Sequence, residues 1–204
     1  MGDIATHAPR HALEARLATI RQAPREAGTV ELIVRRPVVE EREVLESAEL
    51  DLVEGLVGDC WRTRGSSSTP DRSANPEAQV TVMGARAAAA VAGERERWPL
   101  AGDQLYVDLD LSGEHLPPGT RLQVGAAVLE VTAVPHTGCG KFVRRFGVEA
   151  MKFVNSPVGR ELNLRGINTK VVVAGTVSAG DEIRRLGPPA ASPCAHPGGK
   201  TAAG

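Results

Sequence analysis

Cys139 is the residue of this 204-residue chain whose type and surroundings best suit covalent or metal chemistry. It lies between Gly138 and Gly140, after the strand-like run VLEVTAV and before a run with helical spacing. Glycine on both sides permits a tight turn and leaves a thiol approachable. The start of a helix carries partial positive charge, which favours the thiolate. The segment therefore predicts a nucleophilic or metal-ligating sulfur; the alternative is a small buried cysteine that fills space.

Charge is unevenly distributed around this segment. From Cys139 to Gly166 there are six basic and two acidic residues, whereas from Glu40 to Asp59 there are eight acidic residues and one basic residue. Arginine and lysine match the oxygens of phosphate and other oxyanions. We therefore predict that the basic segment forms a binding site for an anionic small molecule; the alternative is a solvated helix face. The basic residues predicted to bind it are Lys141, Arg144, Arg145 and Arg165.

Three weaker candidates accompany Cys139. His136 precedes it by three residues and is predicted to orient or activate the thiol; the alternative is an imidazole that is merely hydrogen-bonded. Asp59 and Cys60 lie in the glycine-bounded segment GLVGDCWRTRG. We predict Asp59 to help bind the ligand and Cys60 to approach the site.

Composition excludes several classes of protein. The formal net charge of -1 argues against a dedicated DNA-binding module, and 3% aromatic residues argue against base-stacking binders of single strands. The three cysteines form no Cys-x-x-Cys pair, which excludes a zinc ribbon. No apolar run is long enough to span a bilayer, and the first 28 residues lack the apolar core of a signal peptide. We expect a cytoplasmic protein without membrane or nucleic-acid partners.

The elements that must position Cys139 are predicted to be mainly strands. Short alternating runs separated by Gly/Pro turns favour a mainly β, β-rich α+β fold with a bent sheet or barrel and a few short helices. Residues 1–27 are predicted as an N-terminal helix or arm, 28–186 as the β-barrel domain and 187–204 as a disordered Gly/Pro/Ala tail. Helices are expected over Ala85–Ala92 and Phe142–Val154, the second broken at Gly147. Strands are expected over Thr29–Val34, Arg42–Asp51, Gln79–Met83 and Gln104–Leu111, and one long or two short strands over Arg121–Val134. Thr169–Val173 and Thr176–Ile183 are expected to form a hairpin or paired strands.

Taken together, these segments resemble the MOSC domain, named for the C-terminal domain of molybdenum cofactor sulfurase. The matching pieces occur in the family's order and cover roughly residues 28–186. They are GLVGD (55–59), QVTVM (79–83), LPPGTRLQVGAAVLEVT (116–132), GCGKF (138–142) and LRGINTKVVVAGTVSAGDEI (164–183). The resemblance implies a barrel-like β fold in a stand-alone member, with Cys139 at the position of the family's characteristic cysteine.

The resemblance also implies two uses for that thiol. It carries sulfur as a persulfide, received from a separate donor protein, or it ligates molybdenum in a bound molybdenum cofactor whose pterin phosphate the basic segment holds. With the cofactor bound, the family reduces N-hydroxylated compounds, which would need an electron-transfer partner. The third alternative is a non-catalytic binding module that keeps the fold. The chain has no room for the pyridoxal-phosphate domain of the wider family, so pyridoxal phosphate is not expected to bind. One departure from the family is that Asp59 is followed by Cys60 and Trp61, where many members have Arg-His.

Overall fold

The computed structural model describes residues 7–187. Within them the strands are β1 (Ala27–Arg35), β2 (Glu43–Leu45), β3 (Ser47–Asp51), β4 (Gly55–Leu56), β5 (Val80–Gly84), β6 (Leu105–Asp108), β7 (Arg121–Val124), β8 (Ala127–Val131), β9 (Ile167–Val173), β10 (Gly175–Ser178) and β11 (Glu182–Arg185). The α-helices are α1 (Arg10–Ala15), α2 (Leu17–Arg21), α3 (Trp61–Arg64), α4 (Ala85–Ala92), α5 (Gly140–Val154) and α6 (Pro157–Glu161). Two 3-10 helices cover Pro76–Ala78 and Arg95–Ala101.

Seven strands close into a β-barrel. Their order is β11-β7-β8-β9-β5-β6-β1, and β1 returns to β11 in an antiparallel pairing that sets Gly28 opposite Ile183. Strand β2 extends the sheet beyond the barrel along the second half of β1. The parallel pair β5–β6 is joined through α4, as a crossover requires. The predicted β-rich barrel with a few short helices is confirmed.

Alternating side chains divide the interior into two apolar cores. In β6, Leu105 and Val107 enter the barrel core, while the intervening Tyr106 enters a second core beneath the helices. This is the period of two expected of a strand buried on both faces. The Tyr106 hydroxyl donates to the Trp98 carbonyl oxygen at 2.6 Å, which satisfies its buried polar end. The second core holds helix α5 against the barrel.

Two sequence predictions about strand pairing are wrong. β9 and β10 do not form a hairpin, because β9 pairs with β5 and β8 in the barrel while β10 pairs with β3 in a separate three-stranded sheet. The single strand expected over Arg42–Asp51 is divided into β2 and β3, which also belong to different sheets. Alternation fixes which face of a strand is apolar but not which strand lies beside it.

Helix α5 is bent at Gly147, as its sequence predicts. Gly147 has φ of 87° inside an otherwise helical run, a conformation that glycine adopts without steric cost. Phe142 and Phe146 lie before the bend and Phe153 after it, and all three are buried. The bend lets two helical segments with different axes share one core.

The predicted N-terminal helix consists of α1 and α2, and Leu13 is completely buried in the second core. The predicted tail over 187–204 lies outside the described residues except for Gly187. The proposed domain boundaries therefore remain predictions. None of the helices within residues 7–187 is long and apolar enough to cross a membrane.

Candidate functional site

Cys139 occupies the N-cap position of α5, at the end of the loop that follows β8. The residue is exposed, and its thiol lies over the first amides of the helix. Partial burial raises the pKa of this thiol, but the nearby backbone N–H groups of Phe142 and Lys141, helped by the charge of Arg165, outweigh that effect. The net pKa is lowered below its ordinary value, which favours the nucleophilic and metal-ligating thiolate.

Cys139 lines a cleft of about 240 Å³. We call it the cationic cleft, because six basic side chains and one acidic side chain line it among the described residues. The acidic residue is Glu40, and the basic residues are Arg36, Arg42, Arg64, Lys141, Arg145 and Arg165. Cys60 and His136 also lie in its wall. The sequence regions predicted to meet, around Asp59 and around Cys139, therefore do share one site.

Arg36 is held at the cleft by a buried ion pair with Asp59. The carboxylate accepts from Arg36 Nε and Nη2, both at 2.8 Å, and from the backbone N–H of Arg36 at 2.9 Å. It also accepts from the backbone N–H of Trp61. Burial alone would lower the pKa of Arg36, but the hydrogen bonds and charge of Asp59 raise it overall. Asp59 thus supports a cleft cation without lining the cleft itself, and its predicted part in ligand binding stays a prediction.

Arg165 is held by a second buried carboxylate, that of Asp103. Arg165 Nη1 donates to Asp103 Oδ2 at 2.6 Å, and Arg165 Nη2 donates to the Ala101 carbonyl oxygen at 2.8 Å. The other oxygen, Asp103 Oδ1, lies 3.5 Å from His136 Nδ1 without a hydrogen bond between them. Arg165 Nε is likewise buried and has no hydrogen-bond partner within residues 7–187. Unsatisfied polar atoms of this kind are uncommon in a finished core and typical of sites that take a ligand or water.

His136 is neutral in this environment. Burial, followed by repulsion from Arg165, lowers its pKa to about 3. Within the described residues no hydrogen bond joins His136 to Cys139, although both line the cleft. A neutral imidazole cannot serve as a cationic partner of the thiolate; it can only donate or accept a hydrogen bond. The predicted role of His136 in activating Cys139 stays a prediction.

Two of the cleft arginines, Arg42 and Arg64, have no carboxylate partner among residues 7–187. Burial and then the charges of Arg145 and Arg36 lower the pKa of Arg42. Burial and then the charge of Arg36 lower the pKa of Arg64. The cations therefore destabilise one another, and an anion bound between them would relieve that repulsion.

Three of the four predicted anion-binding residues reach the cleft. Lys141, Arg145 and Arg165 line it, whereas Arg144 points away from it as an exposed residue of α5. Neighbouring positions on a helix face different directions, which separates Arg144 from Arg145.

Sequence reasoning missed five charged residues of the site. Arg36, Glu40, Arg42 and Arg64 line the cleft, and Asp103 supports it. One local signal was available for Arg36. It directly follows the first strand and precedes Pro37, which cannot donate to a strand ladder, so the end of that strand was a place where a cation could face a site. Arg64 lies in the segment GLVGDCWRTRG that also holds Asp59 and Cys60. Nothing local to Arg42 or Asp103 indicated a shared site, because long-range topology brings them to it.

Comparison with known proteins gives a family and a fold. The MOSC domain family matches residues 69–184. The YuaD protein of Bacillus subtilis has a similar structure, with a TM-score of 0.55 at 16% identity over 78% of this chain and 95% of that chain. YiiM of Escherichia coli gives 0.51 at 19% identity over 78% and 70% of the two chains. No curated protein sequence matches significantly. With more than half of its length matched, this chain belongs to the MOSC domain family.

Proposed function

We propose that the cationic cleft binds a molybdenum cofactor, with Cys139 as the protein ligand to the metal and the basic side chains holding the pterin phosphate. One observation carries this proposal. A thiol of lowered pKa lines the same cleft as six cations, two of which, Arg42 and Arg64, have no carboxylate partner within residues 7–187.

The metal-ligating side chains of the cleft fit a metal that is already chelated by a cofactor. No group of three or more His, Cys, Asp or Glu side chains capable of holding an ion exists within residues 7–187. A bare divalent ion would therefore be poorly held, since protein sites for such ions use three or four side-chain ligands. A single soft thiolate can still complete the coordination of a metal chelated by a cofactor. Arg165 lines the cleft, and its buried Nε, which has no partner among residues 7–187, would be a hydrogen-bond donor for such a group.

The protein's part in this binding divides between its residues. Cys139 would supply the thiolate, and Arg42, Arg64 and Arg145 would hold the phosphate by charge-assisted hydrogen bonds. When bound, the cofactor would supply two-electron redox chemistry at its metal. Reduction of N-hydroxylated compounds would then need electrons from a partner protein, since three cysteines are too few to hold an iron-sulfur cluster of the four-cysteine type.

A second candidate function, sulfur carriage, is favoured by the exposure of Cys139. A donor persulfide would pass its outer sulfur to the Cys139 thiolate, so that Cys139 becomes the persulfide and the donor leaves as a thiol. An exposed thiol of lowered pKa is accessible to a donor protein and reactive enough for this exchange. Sulfur carriage does not need the cations of the cleft, whereas cofactor binding does, so variants of the cations distinguish the two functions.

The test is to purify the full chain from a molybdenum-replete host and measure its molybdenum, its oxidised pterin and its intact mass. We expect about one metal per chain, lost in Cys139→Ser, and a pterin content lowered about tenfold in Arg64→Ala. Arg62→Ala is the matched control, because Arg62 lies on the same short helix outside the cleft. A persulfide mass on Cys139 without metal would support sulfur carriage. Neither metal, pterin nor persulfide would overturn both and leave a non-catalytic module.

A further inference from the structure

Glu40 forms ion pairs with two of the cations that line the cationic cleft. Its Oε1 accepts a hydrogen bond from Lys141 Nζ at 2.8 Å, and its Oε2 accepts from Arg145 Nη2. These partners are more than a hundred residues away in sequence and belong to α5, whereas Glu40 lies in the loop of residues 37–42 between β1 and β2. Among the described residues it is the single acidic side chain that lines the cleft.

The loop that carries Glu40 has few other contacts that hold it in place, the main one being the hydrogen bond from Arg42 Nε to the Pro99 carbonyl oxygen at 3.1 Å. Val38 and Val39 are about half exposed at the lip of the cleft, so they contribute little burial. Glu40 itself has φ of 73°, in the left-handed region, which is strained for a residue with a Cβ. The strained conformation is therefore offset by the contacts that its side chain makes with Lys141 and Arg145.

The charges around Glu40 keep it ionised. Hydrogen bonds from Lys141 and then Arg145 lower its pKa to about 2. Arg42 also lies close enough for its charge to interact with that of Glu40. No acidic side chain among the described residues of the cleft competes with Glu40 for these cations.

We propose that Glu40 is a specificity-determining residue: its carboxylate occupies the subsite that Lys141 and Arg145 form for a doubly charged oxyanion such as a phosphate monoester, and the ligand enters by displacing it. The inference rests on the proposed function only in requiring that the cleft binds a phosphate-bearing ligand. It requires nothing of Cys139 or of molybdenum.

Competition with a tethered carboxylate explains why charge would decide which ligands enter. Glu40 is attached to the cleft, so its effective concentration there is high, on the order of mM. A ligand group with one negative charge gains nothing over the carboxylate that it replaces. A dianion places a second charge among Lys141, Arg145 and Arg42, and so has an advantage that increases with the repulsion between these cations.

The test is to titrate the full chain with inorganic phosphate and with acetate by calorimetry at low salt. Glu40→Gln is compared with the wild type, and Glu41→Gln, next to it and outside the cleft, is the matched control. We expect Glu40→Gln to bind phosphate at least tenfold more tightly and to gain measurable acetate binding, with Glu41→Gln unchanged. In Glu40→Gln combined with Arg145→Gln the gain should disappear. Thermal unfolding of each variant checks that it is folded.

The possible failures are distinguishable. Phosphate binding that weakens in Arg64→Ala but is unchanged or weakened in Glu40→Gln would overturn this inference and leave the phosphate-binding cleft standing. A gain of phosphate binding in Glu40→Gln that is equal in Glu41→Gln would also overturn it, since the effect would then be one of net charge. Absence of phosphate binding in every folded variant would overturn the proposed function and this inference together.

Discussion

Asn155 holds Gly138 by both backbone groups of the glycine. Its Oδ1 accepts from the Gly138 N–H at 2.9 Å, and its Nδ2 donates to the Gly138 carbonyl oxygen at 3.1 Å. Gly138 directly precedes Cys139, and Asn155 directly follows the end of α5. The two ends of the helix are thereby tied together, and the direction of the loop that delivers the thiol is fixed.

Asn155→Ala should move the thiol as well as lower stability. Loss of two partly buried hydrogen bonds is expected to cost about 1–3 kcal/mol of unfolding free energy. Because Cys139 would no longer be held over the helix amides, the midpoint pH of its alkylation by iodoacetamide should rise. Asn163→Ala is the control, since Asn163 donates to the Leu111 carbonyl oxygen away from the cationic cleft. A midpoint that shifts equally in both variants would show a general loss of stability instead.

Cys139 should react at lower pH than a free cysteine. In a Cys194→Ser background, its alkylation rate should reach half of its maximum below pH of about 8.5, because the lowered pKa keeps the thiolate present as pH falls. Cys139→Ser should remove this fast reaction and Cys60→Ser should preserve it. A midpoint equal to that of free cysteine would contradict the assignment of a reactive thiol.

Asp59→Asn should be among the most destabilising single changes at the site. It leaves the buried Arg36 guanidinium without its counter-charge, which typically costs about 3–5 kcal/mol. The adjacent Arg35 pairs with Glu43 at the surface, so Glu43→Gln should cost no more than about 1 kcal/mol. Urea denaturation measures both. Similar small losses of unfolding free energy in Asp59→Asn and Glu43→Gln would contradict this prediction and indicate that the Arg36–Asp59 pair is solvated.

His136 should make the protein sensitive to acid. Its pKa in the folded chain is about 3, below the ordinary value, so below pH of about 6.5 the unfolded chain binds a proton that the folded chain does not. The free energy of unfolding therefore falls as pH falls, by about 2 kcal/mol between pH 7 and pH 5. His136→Asn should lack this part of the pH dependence, and His11→Asn, at an exposed position, should retain it. Identical pH profiles for the wild type and His136→Asn would refute the prediction.

Local sequence patterns were sufficient for the elements that present Cys139. Glycines flanking a cysteine, the apolar spacing from Phe142 and the break at Gly147 are all properties of neighbouring residues, and the structure has them. The barrel followed from many short strands with turn residues between them.

The partners of those elements could not be predicted in the same way. Glu40 belongs to the acidic stretch of the sequence and Lys141 to the basic stretch. No local sequence pattern predicts that these two residues form an ion pair. Arg42 lies within the acidic stretch and still faces the cleft. The side chains that give the cleft its charge come from at least four separate segments, and closure of the barrel sets their proximity.

The closure of the barrel also has a consequence for hydrogen exchange. Strand β1 is bonded on one side to β6 and on the other to β11 and then β2, so those of its amides that bond to β6 or β11 should exchange only when the barrel opens. Strand β2 is an edge of three residues and can open alone. Arg36 follows β1 directly, while Glu40 precedes β2. Arg36 is thus attached to one of the slowest-exchanging parts of the molecule, whereas Glu40, which covers the cleft, and the cation Arg42 are attached to one of its fastest.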